Sequence, residues 1–582
     1  MKRMLSIFLT VFMLTGLLVG CKGNSTSVDE TTTVYTNSTD SSSTSSATDV
    51  SNDAIDIWKP YGETVTVAIG RSGSTTQYNF TGGDTATDNA YTRWIKDKLN
   101  IKVELEWFVT QDYTQKINLA IASGDIPDVM LGNDKAQLAQ LIDSDMIQDL
   151  TQGFKDYASP LLKDMVDSFG GVESAWAPAI SDGNLWALCS LERLSQYAIT
   201  WIRKDWMKKV GAKPPETIDE LIVLAHAFID ADLGGKGTTV GIEVAGNGSM
   251  LSGNYNSLAS LDPIFNYYQS YPQLWYKDDS GKYIYGSIAP GTKKALTLLA
   301  DMYHQGILDP EFSTKEFQAS IASGKSGILF GPWWLSNWPL GDCRNNDPTA
   351  EWFPYKCLLS EDGLYHTYMP NTVNGWVVVN KDYEHPEIAV KLLNLDADIA
   401  VLHAKAKIGD QTPYNDSVIP NEVADAYSGV AGIDWGSWPF NITLCYKDQI
   451  VKNAKLSSNE YERFQKGDTS GIAESDLKTY KQIKDYKDGV DKSKEAWNSY
   501  TFLQGKKLMI DMVDCVKVLD NYYPPVTKTM ELKWTNLKTL ESTAFLKIIM
   551  GLEKVDYFDK FVSEWKAQGG DEITKEVNDI VK

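Results

Sequence analysis

The sequence predicts an α/β protein. Strand-like and helix-like segments alternate at the spacing of βαβ units, the apolar runs are short and rich in β-branched residues, and Gly or Pro punctuates each change of pattern. Thr64 to Ile69 is β-rich and gives way to the loop Gly70-Arg71-Ser72-Gly73. Asn89 to Leu99 carries Tyr91, Trp94, Ile95 and Leu99 at helical spacing, and Ile101 to Val109 alternates as a strand. Tyr113 to Ala122 is a helix that Gly124 stops, and Pro127-Asp128 leads into the apolar strand Val129-Met130-Leu131. Strands connected through helices in this way form a parallel sheet. No repeat of fixed period is present.

The chain has 582 residues, room for two to four domains. With 43% hydrophobic and 23% charged residues it has an ordinary globular composition and can build a large core without disulfide staples. The formal net charge of −22 argues against a nucleic-acid binder, which needs a basic face to displace phosphate counterions. It equally argues against a body drawn as a whole to anionic lipid. A mean hydropathy of −0.29 excludes a polytopic membrane protein. The aromatic content stands out, with 18 Trp and 29 Tyr against 5 His.

Residues 1–20 read as an export signal. Lys2 and Arg3 precede an apolar run from Leu5 to Val19, which is short for a spanning helix of about 20 residues. The run ends in Leu18-Val19-Gly20-Cys21, which resembles a bacterial lipobox; the resemblance implies cleavage before Cys21 and lipidation of its thiol. From Lys22 to Asp53, 17 of 32 residues are Ser or Thr, five are acidic and one is Lys. Such a tract cannot bury enough apolar area to offset chain entropy and is expected to be a disordered tether, with a reach of about 30 Å. The expected organisation is a signal at 1–20, a lipid-anchored linker at 21–55 and a folded body at 56–582, held at the extracellular face of the cell membrane by its lipid.

Within the body, six segments resemble motifs of the extracellular solute-binding proteins of bacterial ABC importers, in the carbohydrate-binding, maltose-binding-like group, and they stand in that family's order. Ala122-Ser123-Gly124-Asp125-Ile126-Pro127-Asp128-Val129 is similar to "ASGdiPDv", and Ser181 to Leu188 to "dGklYalP". Thr200 to Trp206 with Pro214 to Leu221 is similar to "lyyRkDwl…PPkTwdEl". Gly327 to Trp334 is similar to a strand ending in "GpW", and Gly375 to Ala389 to "vs.nskhpEaA". The tail, Phe558 to Phe561 with Gly569 to Ile573, resembles the long lipoprotein members of Gram-positive bacteria. The resemblance covers roughly residues 61–582. It implies a type II periplasmic-binding-protein-like fold of two α/β lobes joined by a hinge, with ligand in the cleft. By analogy the first lobe takes about 61–178 and 370–410, and the second about 182–365 and 411–582, with a first crossing near Ala179 to Asp182. It also implies a carbohydrate ligand, an ABC permease as partner, and sugar capture without catalysis. A monomer is expected.

Sugars offer C–H faces to aromatic rings and hydroxyl edges to Asp, Asn, Gln and Arg, so the candidate ligand residues are rings and planar polar groups near strand ends. Trp333 matches the Trp of the family's "GPW", which lines the sugar cleft, and Trp334 follows it. Trp376 opens a strand after Asn374-Gly375. Trp435 and Trp438 sit in a Gly-rich stretch without clear period. Asn133 and Asp134 follow the strand Val129–Leu131, and Arg71 follows the first strand. Gln196 and Tyr197 precede the "RkD" strand. Trp176 and Tyr268 complete the set. Each of these tryptophans reads alternatively as core, and Arg203 with Asp205 reads as a structural pair.

Some long family members carry a calcium loop of the pattern D-x-N-x-N-x-K-x-D. Here Asp230 and Asp232 remain, but Gly234 and Thr238 stand at the third and fifth positions, which leaves few of the six to eight oxygens calcium prefers. No cofactor is expected, and calcium at Asp230 and Asp232 is a weak candidate. There is no phosphate-binding GxxxxGK[ST] loop, no GxSxG elbow and no His pair at metal spacing. Cys343 and Cys357 could pair across a loop, but buried free thiols are the simpler expectation. A glycosidase needs two carboxylates about 5 to 10 Å apart, and 77 acidic residues do not single out a pair. The alternatives are therefore a surface glycoside hydrolase or lyase, and a binding protein for a peptide or other non-sugar solute.

Overall fold

The computed structural model describes residues 55–73, 80, 82–109, 112–191, 198–246, 258–368, 375–408, 418–420, 423, 438–440, 442–472, 474–519 and 521–580, with side chains omitted at 402–408. Cys21, Gln196, Tyr197 and Trp435 lie outside the described residues, as does the expected signal and linker.

Two sheets organise the chain. The first has five strands in the order Ile101–Val109, Val65–Ser72, Val129–Gly132, Trp376–Val379 and Leu188–Cys189. The three strands nearest the start of the chain are parallel, as the alternation of strands and helices predicts. Trp376–Val379 then runs antiparallel between Val129–Gly132 and Leu188–Cys189. Val67, Ile69, Val129, Met130 and Val377–Val379 are fully buried, since helices cover both faces. The helix Ala90–Leu99 starts where the Asn89 side chain accepts from the Tyr91 and Thr92 amides while Thr92 reaches back, and ends at Asn100 in the left-handed region. The helix Tyr113–Ser123 ends at Gly124 with φ 75°, a conformation that glycine adopts without strain. The first motif thus has a structural reason. Gly124 closes the helix, and Asp128 turns back so that its carboxylate accepts from the Ala68 amide at 2.8 Å.

The second sheet has the order Trp352–Tyr355, Ile199–Arg203, Ser326–Gly331 and Val240–Ile242. Its first three strands are antiparallel neighbours and its last pair is parallel. Arg203 ends its strand in a two-pronged ion pair with Asp205, at 2.8 and 2.7 Å, and lies 4.7 Å from the Trp206 ring centroid. This is the structural pair expected of that motif. Thr217 and Glu220 cap the helix Ile218–Asp230 reciprocally. Three helices, Gln449–Gln465, Glu474–Lys487 and Lys494–Asp511, enclose a small core of Tyr461, Ile472, Tyr480, Ile483 and Leu503.

Each sheet has its own core, so the body has two lobes. The crossings between them fall later in the chain than the family analogy places them. Ser181-Asp182-Gly183-Asn184 is not a crossing. It is the turn of a hairpin in which Ile180–Ser181 pairs with Asn184–Leu185, with Asp182 and Gly183 at positive φ. Leu185, Leu188, Cys189 and Leu191 then pack into the first core. The first lobe therefore extends to Leu191, and the chain enters the second at Ile199. The chain is back in the first sheet at Trp376, and of the described residues that follow, Ile419, Trp438, Phe440, Ile442, Leu444 and Cys445 pack into the first core, beyond the expected departure near residue 410. The helix Glu387–Ile408 explains this. Its buried Asp396 and Asp398 accept from the amides of Phe440, at 3.2 Å, and Ile419, at 3.0 Å, and tie those loops back to the first core. Tyr446 and Lys447 remain pinned to Asp164 and Ser168, and Ile450 is the first residue to enter the second core. These residues belong to one compact unit beginning at Ile55, and no described helix is long and apolar enough to cross a membrane.

Gly132 is where the first sheet meets Trp376. A Cβ there would lie 2.1 Å from the indole, so Gly132→Ala overpacks a closed site. The substitution is expected to cost about 2 kcal/mol of stability, read from the midpoint of a denaturant unfolding curve.

Candidate functional site

A cavity of about 530 Å³ opens between the lobes. The first lobe contributes Met165, Ala400, Val401, Trp438 and Thr443 to Cys445; the second contributes Trp333, Asn337, Tyr480, Asn498, Phe502 and Lys506 among others. A smaller cavity of about 220 Å³ lies at the carboxyl ends of the strands Val65–Ser72 and Val129–Gly132, lined by Arg71, Ser72, Tyr113, Asn133, Ser190 and Phe440. Thr443 lines both, so they adjoin. This is where open α/β sheets place ligands.

The loop after the strand Ser326–Gly331 presents Trp333. Trp201 donates its indole N–H to the Pro332 carbonyl at 3.0 Å and fixes the loop from below. Gly505 lets the helix Lys494–Asp511 press on it from the side, since a Cβ there would lie 2.4 Å from the Trp333 carbonyl oxygen. The Trp333 ring is 7% exposed and meets Phe502 edge to face at 4.6 Å. The Lys506 ammonium lies 5.6 Å from its centroid. Asn498, Phe502 and Lys506 recur every four residues along one helix face. The Trp333 indole N–H and the Asn498 carbonyl oxygen are buried without a hydrogen-bond partner. A buried donor and acceptor left unpaired are costly, and a ligand hydroxyl can satisfy both kinds.

Among the other sequence candidates, Trp438 is buried and lines the larger cavity from the first lobe. Arg71 and Asn133 line the smaller one; Arg71 is nearly fully buried, with its guanidinium 5.2 Å from the Phe108 ring. Trp334 is half-buried and packs on the second core. Trp376 lines neither cavity. It is fully buried in the first sheet and donates to the Asp134 carbonyl at 3.1 Å. A strand flanked on both sides holds its first residue in the sheet rather than at the rim. Asp134 is exposed, but its carboxylate caps the helix Lys135–Asp143 by accepting from Ala136 at 2.8 Å. Trp176 is fully buried in the first core, edge-on to Phe154. Tyr268 packs edge-on to Tyr267 on the second core and lines neither cavity. Asp232 accepts from the Thr239 hydroxyl and the Gly237 amide, which makes it a loop brace. Cys343 and Cys357 are buried free thiols.

Sequence reasoning missed Tyr113, Lys135, Asn498, Phe502 and Lys506. The last three form a stripe at helical spacing that is indistinguishable from a core-facing stripe until the partner surface is known. Tyr113 donates toward both the Gly70 and Leu131 carbonyls, at 2.9 and 2.6 Å, and clamps two strand ends together. Lys135 reaches across the lobes to within 5.1 Å of the Tyr523 ring. Among the described residues, Asp476 is the one carboxylate lining either cavity, and no trio of His, Cys, Asp and Glu is arranged to hold a metal ion.

A family model described as bacterial extracellular solute-binding protein matches residues 79–395. Among curated relatives, the polygalacturonan/rhamnogalacturonan-binding protein YtcQ of Bacillus subtilis is 25% identical over 244 residues, which cover 41% of this chain and 45% of that one. The fructooligosaccharide ABC transporter substrate-binding protein FusA of Streptococcus pneumoniae is 28% identical over 247 residues, covering 39% and 44%. The chain thus spans less than half the length of these relatives. Among solved structures, an HMO-binding solute-binding protein associated with an ABC transporter, from Bifidobacterium longum infantis, superposes with a TM-score of 0.57 at 14% identity over 88% of this chain and 98% of that one. This last likeness is one of fold, with the same two-lobed architecture.

Desolvation brings the Lys135 ammonium down to about 8. Because the folded value lies below the unfolded one, the native state disfavours the cation, and its stability rises with pH between about 8 and about 10.4. Lys135→Met is therefore expected to stabilise the protein at neutral pH, with a smaller gain near pH 10, as read from urea unfolding at the two pH values.

Proposed function

Since the chain belongs to the bacterial extracellular solute-binding proteins, we propose that it captures an oligosaccharide between its lobes and delivers it to the permease of an ABC transporter. The observation that carries this reading is the Trp333 indole: a ring held rigidly at the lobe interface, its N–H unpartnered, in a cavity shared with Trp438 and with Asn498, whose side-chain oxygen is also unpartnered. A pyranose or furanose stacks its C–H face on such a ring and returns a hydroxyl to the polar atoms. The ligands for which the two curated relatives are named, polygalacturonan or rhamnogalacturonan and fructooligosaccharide, support the carbohydrate class. On this reading the protein takes up and releases its ligand intact, without covalent chemistry. Closure of the two lobes over the ligand is the working motion, and Tyr446 to Gln449 is one stretch that crosses between them. Ligand stabilises the closed form in proportion to its preference for it. Lipidation at Cys21 holds the protein beside its permease at the outer face of the membrane.

The test is a thermal-shift screen against neutral and acidic oligosaccharides, monosaccharides and peptides, with the ligand recovered afterwards. A ligand at 100 times its dissociation constant adds about 2.7 kcal/mol. One glycan class giving a saturable shift and returning intact is the expected outcome. Cleaved glycan, or shifts with peptides alone, would overturn the reading. Trp333→Phe keeps the packing against Phe502 and removes the N–H donor. It is expected to weaken binding of the stabilising glycan about fivefold, measured by calorimetry.

A further inference from the structure

The outer side of the second lobe carries a groove of about 970 Å³, larger than the cavity between the lobes. It runs along the edge strand Trp352–Tyr355, under the helix Lys204–Val210 and beside Tyr486 to Thr501. Strand register separates it from the proposed sugar cavity. Gly331, which leads into Trp333, pairs with Ile199, whereas Trp352 pairs with Arg203, so Lys204 and Trp352 lie at the opposite end of the sheet, about 13 Å along the strand. The helix Lys494–Asp511 stands between the two, with Asn498, Phe502 and Lys506 on one side and Trp497, Tyr500 and Thr501 on the other.

Two features of the groove call for an explanation. In a chain of net charge −22, five lysines line it: Lys204, Lys208, Lys209, Lys487 and Lys492. None of them forms an ion pair among the described residues. The two carboxylates lining the groove are engaged elsewhere, Asp205 by Arg203 and Glu351 by the Tyr486 hydroxyl at 3.2 Å. The second feature is a row of rings. Tyr486 stacks on Tyr500 at 5.2 Å, Tyr500 lies 5.9 Å from Phe353, and Phe353 lies 5.3 Å from Tyr355. Phe353, Tyr355 and Tyr500 are half-buried, so they keep surface toward the groove. Ammonium groups already flank the row, Lys204 over Phe353 at 4.8 Å and Lys492 over Tyr486 at 4.2 Å.

We propose that this groove of unpaired lysines and successive rings is a second carbohydrate site, on the far end of the second lobe, for an acidic oligosaccharide. Sugar rings bearing carboxylates match both features: their C–H faces meet the aromatic row and their anionic groups meet the lysines. A neutral glycan would leave the ammonium groups without an anionic counterpart, although Lys492 already donates to the Tyr486 carbonyl at 2.8 Å, and a ring-free polyanion would leave the aromatic row unused. The site is independent of what the cavity between the lobes holds.

The experiment measures binding of hexagalacturonate to the full chain in neutral detergent by calorimetry, with a neutral galactose hexamer and inorganic polyphosphate as comparators. The test variant is K204Q/K208Q/K492Q, which alters exposed side chains and is checked for an unchanged unfolding midpoint. Phe353→Ser gives a second variant aimed at the rings, and Trp333→Phe reports on the other cavity. Expected is salt-sensitive binding of hexagalacturonate that both groove variants weaken, the lysine variant by about tenfold, while Trp333→Phe leaves it unchanged. Binding that survives both groove variants, or that Trp333→Phe alone abolishes, would overturn the proposal. So would equal affinity for the neutral hexamer or for polyphosphate, or no binding of hexagalacturonate at all.

Discussion

The indole of Trp376 lies against Gly132 in the middle of the first sheet, and the two-lobed arrangement depends on that contact. The strand Trp376–Val379 inserts antiparallel between Val129–Gly132 and Leu188–Cys189. A sheet completed by a strand from more than 240 positions later in the chain obliges everything in between to fold elsewhere and return. Residues 198–368 therefore build a lobe of their own, and the return creates the interface where the cavities lie. Gly132 is the residue that permits it, because any side chain there would occupy the space the indole fills. Ser190 and Gly375 exchange hydrogen bonds beside it, fixing the register at the rim of the smaller cavity.

The other half of the site follows the same logic of close approach. Trp333 sits at the end of a fully buried strand, its loop held by Trp201 from within the sheet and pressed by the helix at Gly505. Rigid placement suits a stacking surface, because a ring already ordered loses little entropy when a ligand packs on it. The cavity mixes aromatic and aliphatic side chains with amide, hydroxyl and charged groups, and two of its buried polar atoms are unpaired, an arrangement that suits hydroxyl-bearing ligands. Asp396 and Asp398 serve as anchors for loop amides in the first lobe, and burial pushes the Asp396 carboxyl well above the usual carboxylate range.

Much of this was legible in the sequence, and the exceptions share a cause. Helix ends were readable because caps are local: Asn89, Gly124 and Thr217 act on residues within a turn. The strands were readable because burial on both faces forces short β-branched runs. Trp333 was placed at the lobe interface by its position after a strand. Trp376 and Trp176 were misjudged because a tryptophan's neighbours decide whether it is platform or core, and those neighbours are far away in the chain. Asp134 was misjudged because its capping role needs the next helix to begin at once. The first crossing was set too early because Asp182-Gly183 is also a hairpin signal, and the hairpin prevailed. The five-lysine groove was invisible, since its members come from three distant segments.

The central claim is that the lobes close around a carbohydrate at Trp333 and Trp438. The most direct test is the distance between spin labels on the two lobes, at Leu119 of the first and Val223 of the second, both largely exposed at 71% and 67%. The account requires that a saturating oligosaccharide, chosen as one that stabilises the protein, shift the distance distribution to one shorter, narrower population. An unchanged distribution with that oligosaccharide bound would contradict it.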